Sequence, residues 1–245
     1  MFKFLKELLN AAKEGVNEAK DELTLKAEEE KRAGSLVPDN TILLNIPYEE
    51  QFGNALGAAF RVIVFGDWFT VFGSTGDDGS YPIHLYQFGN YPRIDQYRSD
   101  FIKLLQRDFG ITDRETCLQM LSSYFTLLGI EKTGTALEGK NCKIDTSIWD
   151  ISKSGVNAVV VAVVSHITTS ATDVGYLPKP VALNVLKSLS LYARKHFIDW
   201  LQFSDYFLEG EDQVGVNSKI GKSYLKRYIG YLKEKKGSPW NNIAW

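Results

Sequence analysis

The side chains of this 245-residue chain that could do chemistry are three histidines, two cysteines, a few clustered carboxylates and one run of lysines. His166 lies in an uncharged apolar stretch, residues 155–172 (GVNAVVVAVVSHITTSAT). An imidazole there becomes a general base only if a carboxylate from a distant part of the chain lies beside it in a polar pocket; otherwise it is a hydrogen-bonded core residue. His84 and His196 are remote from it and from each other. Cys117 falls in the first turn of an expected helix, where the dipole favours a thiolate, but no histidine is near it in sequence and it reads as core. Asp77-Asp78 and the group Glu209, Glu211 and Asp212 read as solvated loop carboxylates, with cation binding the rarer alternative. The motifs H-E-x-x-H, C-x-x-C, G-x-x-x-x-G-K-[ST], G-x-G-x-x-G and G-x-S-x-G are absent. No catalytic residue, metal or cofactor is therefore assigned.

The run SKIGKSYLKRYIGYLKEKK sets Lys219, Lys222, Lys226, Arg227, Lys233, Lys235 and Lys236 against Glu234 alone, with Tyr224, Tyr228 and Tyr231 interleaved. Cations with aromatics can follow a phosphate backbone and stack bases. The simpler expectation is that the cations complement the end of a helix and the tyrosines face the core. Nucleic acid is thus an unlikely partner, in keeping with a net charge of -2 and a pI near 6.0. Aromatics at 13% and hydrophobics at 44% describe an ordered globular chain. Cys117 and Cys142 imply no disulfide framework, and Glu7 and Glu14 fall where a secretory signal is uncharged, so a cytoplasmic location is expected. Residues 155–172 are long enough to cross most of a bilayer. Asn157, Ser165, His166, Thr168, Thr169, Ser170 and Thr172 suit lipid poorly, so the stretch is expected to be a buried helix and no membrane span is assigned.

Helical spacing dominates the rest of the chain. In residues 1–33, Phe2, Leu5, Leu9, Ala12, Val16, Ala19 and Leu23 form a short heptad seam, so this arm either docks on the domain or self-associates. Its charges nearly balance, seven basic against eight acidic, which disfavours a membrane surface. Residues 34–48 are a linker broken by Gly34, Pro38 and Pro47, and residues 49–245 form a single helical domain. Within it the expected helices cover about 50–66, 95–109, a segment opened by a capping box at Thr112–Glu115 with Leu118, Leu121, Phe125 and Leu128 facing inward, and the valine-rich segment opened by a second box at Ser147 and Asp150. A short hairpin is allowed at 83–88. Asp173, Gly175 and Pro178 stop and restart the chain. One long helix then runs to about Leu208, with Ala182, Val185, Leu186, Leu189, Ala193, Phe197 and Leu201 on its inner face. A last helix from Ser218 stops at Gly237. The fold class is mainly α: a multi-helix globular domain with a long N-terminal helical arm.

The chain closes with GSPWNNIAW, two tryptophans in six residues. Pro239 forbids helix continuation and turns the chain at Trp240. Each buried indole removes about 150–250 Å² from water, worth roughly 4–6 kcal/mol before ordering costs. A docked peg closing the core is expected; display to a partner is the alternative.

These elements resemble the bacterial domain of unknown function 1266 family, the YbeU/YbeR-like proteins. The residues that carry the likeness are L-x-x-x-F-G-I-T-x-R-E at 105–115, W-D-I-S-K from Trp149, D-V-G-Y-L-P from Asp173, F-I-D-W-L-Q-F-S-D-Y-F-L-E-G at 197–210, and the closing S-P-W with a final Trp, over about residues 50–245. The resemblance implies a mostly helical bacterial protein and no particular activity. It marks Trp149, Asp150, Gly175, Tyr176, Trp200, Tyr206, Gly210, Trp240 and Trp245 as recurring, and of these Trp149, Asp150, Tyr176, Trp200, Tyr206, Trp240 and Trp245 are the candidate binding positions. Lys153 and the valine run depart from the Arg and mixed polar residues that the family pattern carries after its W-D start. The leading functional expectation is an adaptor or immunity-like module that binds an unidentified protein partner. The alternatives are an enzyme assembled around His166 and a nucleic-acid binder using the last helix.

Overall fold

The computed structural model describes residues 45–64, 82–90, 94–140, 149–214 and 219–245. The expected arm at 1–33, the linker as far as 44, the Asp77-Asp78 loop, Cys142 and Ser147 lie outside the described residues. The fold is mainly α. Its helices are α1 (Tyr48–Leu56), α2 (Ala58–Val64), α3 (Ile94–Phe109), α4 (Arg114–Leu128), α5 (Ser154–Asp173), α6 (Lys179–His196), α7 (Trp200–Val214), α8 (Lys219–Glu234) and a short α9 (Pro239–Asn242).

The axis of the molecule is α5. Every residue from Gly155 to Asp173 is buried, and α1, α2, α3, α4, α6 and α7 all pack on it. It is long and apolar enough to cross a membrane, with a mean hydropathy of 1.4 over 18 residues, yet that whole window is enclosed by the protein's own core. Its hydroxyls are satisfied without water. Thr168 Oγ1 donates to the Val164 carbonyl at 2.7 Å, Thr169 Oγ1 to Ser165 at 3.0 Å and Thr172 Oγ1 to Thr168 at 2.9 Å. Ser165 Oγ reaches across to the Gly53 carbonyl at 2.6 Å.

Small residues let the neighbouring helices come this close. A Cβ at Gly210 of α7 would lie 2.0 Å from the Gly155 carbonyl oxygen of α5, so the two backbones touch. On the other side, a Cβ at Gly57 would lie 2.7 Å from Ser165 Oγ, and one at Gly53 would lie 2.7 Å from Leu186 Cβ. The small-residue run GNALGAA is thus the contact surface of α1 and α2 with α5 and α6.

Several elements differ from the sequence expectation. The helix expected over 50–66 breaks at Gly57 into α1 and α2. The hairpin at 83–88 is instead a 3-10 turn, Ile83–Leu85, because Pro82 starts a tight i→i+3 turn closed by Leu85 N–H on its carbonyl at 2.8 Å. No strand forms among the described residues. The first capping box sits one residue later: Asp113 accepts from the Thr116 N–H at 2.8 Å, and Thr116 Oγ1 accepts from the Asp113 N–H at 3.1 Å. The valine-rich helix begins only at Ser154, after a turn in which Asp150 binds Ser152.

The largest correction concerns the long helix expected to run to Leu208. It stops at His196, because Phe197 is extended and Asp199 starts a new helix. Asp199 Oδ1 accepts from the Gln202 N–H at 2.7 Å, while Gln202 Oε1 accepts from the Ile198 N–H at 2.9 Å. This reciprocal pair is a capping device written as D-x-x-Q. The restart changes the helical phase, so Phe197 stays buried but Leu201, expected in the core, is 58% exposed. Beyond α8 the chain ends its helix at Glu234, and Ser238 caps α9 by accepting from the Trp240 N–H at 3.2 Å.

Two glycines of the helical segments separate packing from propensity. Gly210→Ala forces α5 and α7 apart and is expected to remove more than about 3 kcal/mol of stability or abolish folding, read as a lost or strongly lowered thermal transition by circular dichroism. Gly230→Ala on α8 meets nothing within 4 Å and is expected to be neutral or to stabilise by about 0.5–1 kcal/mol.

Candidate functional site

The closing tryptophans build one half of the candidate region. Trp240 is buried and lies parallel to Trp200 with ring centroids 5.8 Å apart, and Trp245 meets Trp200 edge-on at 4.7 Å. Each of the three indole N–H groups donates to a backbone carbonyl from another part of the chain: Trp200 to Ile243 at 2.7 Å, Trp240 to Ala55 at 2.9 Å and Trp245 to Phe197 at 2.9 Å. Phe52 of α1 completes the stack, 5.0 Å from Trp200 and 5.2 Å from Trp245. Tyr206 is half-buried behind Phe197, at 6.1 Å. The tail therefore docks on its own domain, tying together α1, the α6–α7 junction and α9.

Around this clasp the surface is apolar and basic. Leu191 is 65% exposed, Ile198 74% and Leu201 58%. Leu191 shares the exposed stripe of α6 with Lys187, Arg194 and Lys195. The Arg194 guanidinium lies over the rings of Phe52, at 4.4 Å, and Tyr48, at 5.1 Å, and Tyr48 Oη donates to the Ala244 carbonyl at 2.5 Å.

A second, buried centre lies toward the C-terminal half of α5. Arg61 of α2 and Asp173 of α5, both fully enclosed, pair at 2.9 Å. Arg61 Nε also donates to the His84 carbonyl at 3.0 Å, and Asp173 Oδ1 accepts from the Gly89 N–H at 2.5 Å. Burial pushes the Asp173 carboxyl up, while the guanidinium and the Gly89 N–H draw it back. His166 lies two turns before Asp173 on the same helix, against Phe60 at 5.5 Å, with Ser170 Oγ 3.4 Å from Nδ1. Burial, reinforced by the nearby Arg61 charge, holds both His166 and His84 down to a pKa of about 3. Neither ring carries charge near neutrality; His166 is enclosed by core side chains, and His84 is half-buried. Sequence reasoning passed over Arg61 and Asp173. Their signal was a lone cation in one apolar run and a lone anion at the end of another.

The remaining candidates lie apart from both centres. Trp149 is buried edge-on against Tyr124 at 6.2 Å. Asp150 is exposed, its carboxyl held down by the Ser152 hydroxyl at 2.5 Å. Tyr176 is half-buried against the core, just after Gly175, whose φ of +87° ends α5. Cys117 is buried, and burial with the Asp113 charge pushes its thiol up to about 12, the reverse of activation. Among the described residues no group of three or more His, Cys, Asp or Glu side chains is arranged to hold a metal.

The architecture is thus that of an all-helical domain wrapped around one buried helix and clasped shut by its own C-terminus. Residues 128–245, a little under half of the chain, match the model of a family described as protein of unknown function (DUF1266). The match covers α5 through α9, and with them the Gly155–Gly210 contact, Asp173 and the tryptophan clasp. It leaves out α1 to α3 and all of α4 but Leu128, and with them Arg61 and the motif at 105–115. No curated protein and no solved structure matches the chain.

Two measurements probe these centres. Trp240→Ala leaves a large cavity and removes the indole hydrogen bond to the Ala55 carbonyl, and is expected to cost about 3–5 kcal/mol, a fall of roughly 10 °C in Tm by calorimetry. For His166 and the half-buried His84 the folded pKa lies below the unfolded value, so the unfolded chain takes up protons first as the pH falls. The stability they allow at neutral pH is lost from about pH 6.5 down toward pH 3, each ring costing about 2 kcal/mol at pH 5 relative to pH 7. Denaturant titrations from pH 7.5 to 4.5 should show this slope, and His166→Phe should roughly halve it.

Proposed function

We propose that this protein is a bacterial, cytoplasmic protein-interaction module of the adaptor or immunity-like kind, and that it works by presenting the surface at the α6–α7 junction. The observation that carries this reading is the exposure of Leu191, Ile198 and Leu201, more than half exposed where the other leucines and isoleucines among the described residues are buried or half-buried. The D-x-x-Q cap turns Leu201 outward while the neighbouring Trp200 faces the clasp, which gives this apolar surface a rigid base. Rigid aromatic support beneath a small apolar patch with a basic rim is the usual anatomy of a recognition site.

The enzyme reading around His166 is less well supported. The carboxylate that shares its centre, Asp173, is bound to Arg61, and the imidazole is buried. The nucleic-acid reading is likewise weaker. Lys233 of α8 is bound to Asp205 of α7 at 2.6 Å, and Tyr228 and Tyr231 lie half-buried against the core. Of the positions marked by the family resemblance, Trp200, Tyr206, Trp240 and Trp245 support the recognition surface from behind, while Trp149, Asp150 and Tyr176 take no part in it.

The test is affinity capture with the tagged full-length protein from its native host, in parallel with Leu191→Asp/Leu201→Asp. One stoichiometric protein, lost at least tenfold with the double variant while the thermal transition is retained, is the expected result. Equal capture by both proteins, or no stoichiometric protein, would overturn the reading.

A further inference from the structure

We propose that the surface carrying Leu191, Ile198 and Leu201 takes a second copy of this chain, in a two-fold dimer where α6 of each copy lies antiparallel to α7 of the other. The inference rests on the interaction surface argued above and names its occupant.

The first observation is a division of charge between two consecutive helices. α6 carries Lys179, Lys187, Arg194 and Lys195 and no carboxylate, whereas the chain from Ile198 to Val214 carries Asp199, Asp205, Glu209, Glu211 and Asp212 and no Lys or Arg. Lys179 is engaged with Glu50 at 2.7 Å, and Glu211 is buried. The exposed members are then Lys187, Arg194 and Lys195 on one side of the junction, and Asp199, Asp205, Glu209 and Asp212 on the other. Charges on the helices packed beside them do not cancel this division. Glu49 of α1, next to the tyrosine that Arg194 covers, sets one exposed acid against three cations. Lys233 of α8, bound to Asp205 at 2.6 Å, sets one cation against four acids.

The second observation is the spacing. Exposed positions recur at helical intervals along both elements: 187, 191, 194 and 195 on α6, and 201, 205, 209 and 212 on α7, with Ile198 exposed between them. The series is balanced about His196. Leu191 lies five positions before it and Leu201 five after; Lys187 lies nine before and Asp205 nine after; Arg194 lies two before and Ile198 two after. A two-fold interface brings residue i of one copy to residue j of the other, and j to i. Antiparallel pairing about this centre sets Leu191 against Leu201 of the second copy, Lys187 against Asp205, and Ile198 against the aliphatic stem of Arg194, each contact made twice. Asp199 then lies beside Arg194 and Lys195 of the other copy. Pairing α6 with α6, or α7 with α7, would instead oppose like charges. Opposite charges flanking an apolar contact thus select one orientation as well as adding attraction.

The test is sedimentation equilibrium of the purified full-length protein at low and high salt. The expected result is a dimer that weakens as salt rises. Lys187→Glu and Asp205→Lys, each with its thermal transition retained, should each weaken association at least tenfold, because each opposes like charges twice per dimer. Mixed in equal amounts, the two variants should regain a dimer containing one chain of each. In that pair the two altered side chains oppose each other with opposite charge, and so do the two unaltered ones. A loss of folding in either variant could not be repaired by mixing. An unaltered protein that stays monomeric, single variants that dimerise as tightly as the unaltered protein, or a mixture that remains monomeric would each overturn the proposal. Failure here leaves the interaction surface standing if the capture experiment returns a different protein that Leu191→Asp/Leu201→Asp loses.

Discussion

Burying α5 on every side leaves its polar side chains no water, and each must find its partner inside the fold. Most of the architecture follows from that constraint. The threonines answer it locally by bonding back to their own helix. Ser165 answers it by fixing α1 through the Gly53 carbonyl, which demands glycines at 53 and 57 for the helices to approach. Asn157 does so through the Tyr192 hydroxyl on α6 at 2.9 Å. Asp173 cannot be satisfied by a hydroxyl, so it recruits Arg61 from α2 and the Gly89 N–H from the turn after the 3-10 segment. A buried ion pair of this kind contributes little net stability over an apolar pair but is costly to break, so it acts on arrangement, admitting one placement of α2 against α5. His166 resolves the same constraint by staying neutral.

The C-terminal clasp applies a related logic to the chain end. An indole is mostly apolar surface with one obligatory donor, so burying it requires a free acceptor at the right place. Here the acceptors are carbonyls left over at helix ends and turns: Ala55 near the end of α1, Phe197 between α6 and α7, and Ile243 after α9. The clasp thus pairs backbone groups that a helix terminus would otherwise leave to water.

Much of this was legible before the structure. The full burial of α5 followed from its uncharged length and its hydroxyls, the inward face of α4 from its spacing, and the docked tail from two tryptophans after a proline. Gly210 was legible only as a recurring letter; its reason, contact with the Gly155 backbone, needs both helices in place. Other features were hidden because they depend on residues far apart in sequence. Nothing near Arg61 names Asp173, which lies 112 positions away, and His166 owes its lowered pKa to burial among distant side chains first and then to a guanidinium on another helix. The misplaced break at 197–199 is a different kind of miss. The signal D-x-x-Q was present, but a continuous apolar periodicity from Ala182 to Leu201 outweighed it.

That break is also where fold and proposed function meet. Had α6 run on to Leu208 in one phase, Leu201 would have joined the core, leaving Leu191 of α6 without that apolar neighbour on the surface. Instead the chain uses an extended residue, a capping pair and a new helix to reverse the roles of neighbours: Phe197 and Trp200 turn in, Ile198 and Leu201 turn out. Exposing large aliphatics lowers solubility and gains nothing for a closed domain. A local device that creates such exposure, on a base held by three indole hydrogen bonds, is better explained by something that comes to sit there than by the needs of the fold alone.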